Sequence, residues 1–404
     1  MKKRLLGMAA IAMVLGLSCP QQASAGAKIS ISDDSNLDLG FRIQALYLRN
    51  DKDLKSNEDE FKIRRARFRL KGNVTKYVTG FLQTDFRDDE ISSGGDVRLI
   101  DAWIMVKPLE WLNVIGGQQM AAVTRMGMTG SGGLMAIDRP GINNYMLSWG
   151  AKGNTAFNNG TVAGTASGLS GDVNVRDLGF SLFGSTSFTD MTHFKYYLGV
   201  FEGQDVDTRN TDSERYSARV QVNFFDAESG LFNSSTYLGR KKTLAFGVGY
   251  DTQDSVARSG SNTGNEIDYT FFTLDAFTDY PVGPGYLTAE VAYNDLDLDD
   301  SGVLFAQDGG GALTSSAQGK ETQGSGFYGQ LGYYINKWQP WVGYEQWDSD
   351  GANDAGSWSA VKVGMNYYLK GHNANIKIGY ESLTNDKAGA PDIDTFVLGL
   401  YVTY

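Results

Sequence analysis

The sequence predicts an all-β protein: a transmembrane antiparallel β-barrel of sixteen strands, with eighteen as the alternative, and an inward-folded third loop. Three observations predict it: an alternating C-terminal strand, a secretory leader, and a period-two pattern repeated between them. In the last eleven residues, Phe396, Leu398, Leu400, Val402 and Tyr404 alternate with Val397, Gly399, Tyr401 and Thr403, so one face is uniformly apolar. A long free apolar edge invites aggregation. A strand that closes a membrane barrel has no free edge and needs such an outward face.

The leader comes first in the chain. Lys2, Lys3 and Arg4 form a basic region, Leu5 to Leu17 an apolar run, and Ala23-Ser24-Ala25 a small-residue cleavage site before Gly26. This pattern predicts a signal peptide over 1–25 and a barrel domain over 26–404. It sends the chain through the periplasm to the outer membrane of a Gram-negative-type bacterium. Gly16 stands where a lipidation signal favours Leu, and Pro20 follows Cys19, so a lipid-anchored cysteine is not expected. Cleavage after Ala25 removes the only cysteine. The mature chain then offers no disulfide, thiolate metal site or haem attachment.

Composition favours strands over helical spans. Beyond the leader there is no apolar run of membrane-spanning length. Aromatics make up 12 %, with 50 glycines and only 7 prolines, which suits alternating strands with aromatic girdles. Removing Lys2, Lys3 and Arg4 leaves 33 cationic against 47 acidic side chains, a formal charge of −14. That balance argues against nucleic acid as a partner. Outer-membrane lipid and lipopolysaccharide are the expected surroundings.

The strands follow in order. Leu37, Leu39, Phe41, Ile43, Ala45 and Tyr47 oppose Asp38, Gly40, Arg42 and Gln44. Tyr216, Ala218, Val220, Val222 and Phe224 oppose Arg215, Ser217, Arg219, Gln221 and Asn223. Successive side chains point to opposite faces, so each segment has a lipid side and a water side. Seventeen segments carry the pattern: roughly 36–49, 61–73, 77–87, 97–107, 111–120, 144–152, 176–187, 193–203, 214–225, 241–251, 268–280, 286–296, 324–335, 338–348, 358–369, 373–383 and 394–404. Single-chain bacterial barrels use an even number. Either 144–152 belongs to a loop, giving sixteen, or a further strand lies between 153 and 175. A barrel of that size leaves a water-filled channel.

The second strand carries the sharpest chemical signal. Ala66, Phe68 and Leu70 form its lipid face, which places Arg65, Arg67, Arg69 and Lys71 in the lumen, about 6.6–6.8 Å apart. Charges facing lipid are expensive, so this register is forced. Lys62 and Arg64, on the other parity, are expected to snorkel at the membrane rim. Such a ladder would concentrate anions. Asp85, Asp101 and Gln83 sit on water faces of the next strands and can neutralise it. The connection 121–144 is the longest early one. Its glycines allow tight folding, and Arg125, Asp138 and Arg139 can line an eyelet; a solvated surface loop is the alternative.

The chain resembles the phosphate-selective porin family of the porin O and P type. The likeness is carried by Arg64-Arg-Ala-Arg67 ending at Gly72, and by Leu99-Ile-Asp101-Ala-Trp103 leading to Val114-Ile-Gly116-Gly-Gln118. It is carried also by Trp338-Gln-Pro340-Trp-Val-Gly-Tyr344-Glu345 and by Val363-Gly364-Met-Asn366-Tyr367-Tyr368-Leu-Lys-Gly371-His372-Asn373. It spans roughly 36–120 and 324–404. The resemblance implies a sixteen-stranded homotrimeric outer-membrane porin passing small ions and hydrophilic solutes, with anions preferred. The family's phosphate-specific members thread lysine and arginine arrays through the constriction. Here 121–144 holds only Arg125 and Arg139.

No catalytic residue, metal site or cofactor is expected. There is no Gly-x-Ser-x-Gly, and the two histidines, His193 and His372, read as a strand end and a hairpin turn. The rival role is a structural barrel sleeve around a separate multihaem cytochrome. It would require a wide lumen filled by that partner.

Overall fold

The computed structural model describes residues 26–52, 55–86, 97–141, 143, 175–203, 213–258, 266–299, 323–354, 356–389 and 392–404. Its strands are β1 (Ala27–Ser30), β2 (Asn36–Lys52), β3 (Lys55–Asn73), β4 (Val78–Asp85), β5 (Arg98–Leu109), β6 (Leu112–Met120), β7 (Arg176–Thr189) and β8 (Thr192–Phe201). They continue as β9 (Arg215–Phe225), β10 (Thr243–Arg258), β11 (Glu266–Val282), β12 (Gly285–Asp297) and β13 (Gly324–Tyr334). The last are β14 (Trp338–Ser349), β15 (Trp358–Tyr368), β16 (Ala374–Asn385) and β17 (Ile393–Thr403).

From β2 to β17 every strand pairs antiparallel with its sequence neighbour, and β17 returns to β2, with Val397 opposite Leu48. Closure removes every edge, as a spanning sheet in lipid requires. The barrel has sixteen strands. The segment 144–152 lies outside the described residues, but β6 pairs directly with β7, Gln118 opposite Leu178. The barrel has no strand position between them.

The extra strand, β1, pairs with the foot of β2, Ala27 opposite Leu39. Just above, Tyr404 exchanges backbone hydrogen bonds with Phe41, at 2.8 and 2.9 Å. β1 therefore continues the line of β17 along β2, and Gly26 lies beside Tyr404.

Alternation puts the core and the belt where the pattern requires. In β15, Val361, Val363 and Met365 are exposed outward, while Ala360, Lys362, Asn366 and Tyr368 are buried inward. Several strands outrun their apolar patterns. β10 reaches Arg258 and β3 begins at Lys55, because ladder hydrogen bonds continue above the bilayer, where both faces can be polar.

One register expectation fails at the cation ladder. Gln44 pairs with Arg65, but Ala45 pairs with Ile63, so Arg64 is the extra residue of a β-bulge. A bulge sets two consecutive residues against one partner. Arg64 and Arg65 therefore both point inward, at 7 % and 2 % exposure. Arg64 is not a rim residue. Lys62 also shifts to the inner side, near Glu60 at 3.8 Å, while Phe61 and Ile63 face out.

Candidate permeation eyelet

Among the described residues, two segments enter the lumen. The first is the third outer loop, which follows β6. Its Val123, Met126, Met128, Leu134, Met135 and Ile137 are buried. Its backbone is held by inward polar side chains of the wall. Lys377 Nζ donates to the carbonyls of Leu134 at 2.7 Å and Ala136 at 2.8 Å. Asn366 Nδ2 reaches the Met135 carbonyl at 2.8 Å, and the Tyr401 hydroxyl the Ile137 carbonyl at 3.0 Å. Inward glycines make room for it. A Cβ at Gly249 would collide with the Val123 carbonyl, and one at Gly332 with the Met135 sulfur.

The second segment, 226–242, joins β9 to β10. It lies on the side of the short turns 74–77, 110–111, 190–191, 283–284 and 335–337, which is the periplasmic side of such barrels. Rather than turning tightly, it rises into the barrel and meets the third loop. Thr129 and Asn233 form a parallel bridge, and Ser235 N donates to the Gly133 carbonyl at 3.0 Å. Arg125 makes a two-pronged ion pair with Glu228, at 2.7 and 2.6 Å, and lies 3.6 Å from the ring centre of Phe277. Burial would raise the Glu228 carboxyl, but the Arg125 guanidinium overrides it and holds it down at about 2. Two loops from opposite mouths are thus joined by backbone contacts and by one buried ion pair.

A polar cavity lies beside β2 and β3. Its volume is about 120 Å³, and it is bordered by Arg42, Arg64, Arg65, Arg67, Arg69, Arg139 and Arg176, with Asp101 and Asp138. The acids take up part of this charge. Asp138 accepts from Arg64 at 2.7 Å and Arg65 at 2.9 Å, Asp85 from Arg67 at 2.9 Å, and Asp101 from Arg176 at 3.0 Å. Burial opposes ionisation of Asp138, yet these guanidiniums hold its carboxyl far below the usual carboxylate range. Among the described residues, Arg42 and Arg139 have no carboxylate within ion-pair distance. Arg42 donates to Ser131 Oγ at 2.6 Å and Thr403 Oγ1 at 3.3 Å, and Arg139 to the Met126 and Thr129 carbonyls. Burial first, then the like charge of Arg65, pushes the Arg139 guanidinium down to about 9. Among the described residues, the cavity lining is therefore short of negative charge.

The eyelet brings together Arg42, Arg65, Arg67, Arg69 and Arg139, with Asp101 and, behind Arg67, Asp85. It does not draw on the other three cations read from the sequence. Lys71 is exposed near the foot of β3, opposite Phe81. Arg125 is consumed by Glu228. Arg219 is buried against Asp275, at 2.5 and 2.8 Å, and donates to the Val123 carbonyl, bracing the loop from below. Sequence reasoning placed Arg64 at the rim, and passed over Arg176 and the segment 226–242. Arg64 is hidden by the bulge, which no local pattern announces. The segment left a signal: seventeen residues on a side where connections are short.

A closed barrel with an apolar belt and loops folded into its lumen defines an outer-membrane channel of the porin type. The chain belongs to the family of phosphate-selective porin O and P, whose model matches residues 36–403. Solved structures share the fold. An anion-selective porin from Comamonas acidovorans superposes with a TM-score of 0.58 at 13 % identity, over 92 % of this chain and 100 % of that one. OmpF of Salmonella typhi gives 0.56 at 14 %, over 94 % and 100 %. OmpT of Vibrio cholerae in its trimer form gives 0.52 at 11 %, over 91 % and 100 %. No curated protein matches the chain.

Proposed function

We propose that this protein is an outer-membrane diffusion channel that passes small hydrophilic solutes and prefers anions. One observation carries the preference: seven guanidiniums border the eyelet, and Arg42 and Arg139 have no carboxylate among the described residues. A cluster of fixed cations in a narrow, partly dehydrated passage attracts anions and repels cations. The name of the Comamonas structure, an anion-selective porin, is in keeping with this. The lumen contents favour a channel over a sleeve for a cytochrome, since the chain's own two segments cross the space such a partner would need.

Purified protein in a planar bilayer should show stepwise conductance, and a KCl gradient should give a reversal potential on the chloride side. A potential on the potassium side would overturn the anion preference. A homotrimer fits the family, and chemical cross-linking of intact outer membranes should trap three copies. We also propose that the leader is cleaved after Ala25. The new terminus, Gly26, then meets Tyr404 in the closing strand line. Intact-mass measurement of protein extracted from membranes should match a chain beginning at Gly26.

A further inference from the structure

The interior of a diffusion barrel is normally polar, yet one arc of this lumen is not. Trp103, Met105, Ile115, Phe183 and Tyr197 point inward from β5, β6, β7 and β8 and are buried in one cluster. The segment 226–242 covers them. Leu231 packs on the cluster, and its carbonyl accepts from the Tyr197 hydroxyl at 2.7 Å. Next to it in this bent stretch, Phe232 stays 40 % exposed and borders the arginine cavity. Phe81, Met120 and Val175 border the same cavity. The eyelet has two chemistries: guanidiniums from β2, β3 and the third loop, and an apolar rim that includes a ring presented from the periplasmic side.

We propose that the eyelet is a binding subsite for aryl carboxylates, a flat apolar ring bearing one carboxylate. This rests on the anion-channel reading above and names its substrate class. The carboxylate meets Arg42 or Arg139, neither of which has a side-chain carboxylate within ion-pair distance among the described residues. The ring lies against Phe232 and Met120, and flat guanidiniums stack on aromatic faces as well. The cavity, about 120 Å³, is of the same order as the roughly 150 Å³ apolar cavity that accepts benzene. Chloride or phosphate can use only the guanidinium arc. An organic anion gains from both arcs, because the Phe232 ring leaves apolar surface in water.

The test is block of chloride current through the purified mature channel by added benzoate and by acetate, which carry the same charged group. Benzoate should half-block at a concentration about tenfold below that of acetate, a difference of the size one ring burial supplies. In Phe232→Ser the ratio should fall towards one, and Phe232→Leu should keep part of it. Val175→Thr, a change of similar shape on another part of the rim, should lower the ratio and guards against failure of Phe232→Ser to fold. Equal block by the two acids in the parent, or a ratio unchanged in both polar variants, would overturn the inference. These outcomes leave chloride selectivity intact. A parent channel without chloride selectivity would instead remove the reading on which the subsite rests.

Discussion

Glu228→Ala is expected to release the two inward segments and widen the channel. Arg125 is fully buried and bonded by both prongs to Glu228, with further support only from the Ser234 carbonyl and the Phe277 ring. Removing one partner of a buried pair leaves the other charge uncompensated and costs about 3–5 kcal/mol. That shifts the docked-to-released equilibrium by about two to three decades. Single-channel records should show higher conductance and frequent switching, while the barrel itself, closed by backbone ladders, stays folded. Arg125→Lys should be intermediate, because an ammonium cannot reproduce the bidentate geometry. Acid should mimic the variant. The Glu228 carboxyl lies at about 2, below its ordinary 4.5. A depressed carboxylate contributes stability that is present above 4.5 and is lost as pH falls towards 2. Recordings should therefore be quiet from neutral pH to about 5 and noisy between 4.5 and 2. Quiet, parent-like traces from Glu228→Ala would refute the clamp.

Double replacement of Arg42 and Arg139 by Gln is expected to weaken the anion preference sharply. An unscreened cation 4 Å from a permeant ion is worth about 4 kcal/mol at an intermediate dielectric. Screening over about 10 Å at 0.1 M salt weakens distant charges but not those lining an eyelet. Of the five remaining guanidiniums, Arg64 and Arg65 share Asp138, Arg67 pairs with Asp85 and Arg176 with Asp101, while Arg69 donates to the Tyr404 carbonyl. The reversal potential under a KCl gradient should collapse towards zero. Lys71→Gln, an exposed lysine outside the cavity, should leave it nearly unchanged. Arg219→Gln should act differently from both: it strands Asp275 in the wall and should lower the unfolding temperature. A parent-like reversal potential in the double variant would show that selectivity arises elsewhere.

How far the sequence reaches can be read from particular residues. Leu37 through Tyr47 or Val361 through Tyr367 declare a strand locally, because a two-residue period with lipid on one side leaves one register. Arg65, Arg67 and Arg69 could be placed in the lumen for the same reason. Arg64 could not: a bulge is one extra residue in the pairing of two strands, and its parity is decided by β2 rather than by β3 alone. Nor could Arg125 and Arg139 be told apart. They lie in the same loop, yet one is bound to Glu228, 103 positions away, and the other faces the cavity.

The sequence by itself therefore determined the barrel, its closing strand, its lipid belt and a cationic lumen wall. These follow from short-range alternation and from the cost of polar groups in hydrocarbon. Only the tertiary structure decided which cations are free for permeants. That choice depends on two loops entering from opposite mouths, on the carboxylates they carry, and on the glycines that let them lie against the wall. Charge pairing across the lumen is set by distances in space, and no spacing along the chain encodes them.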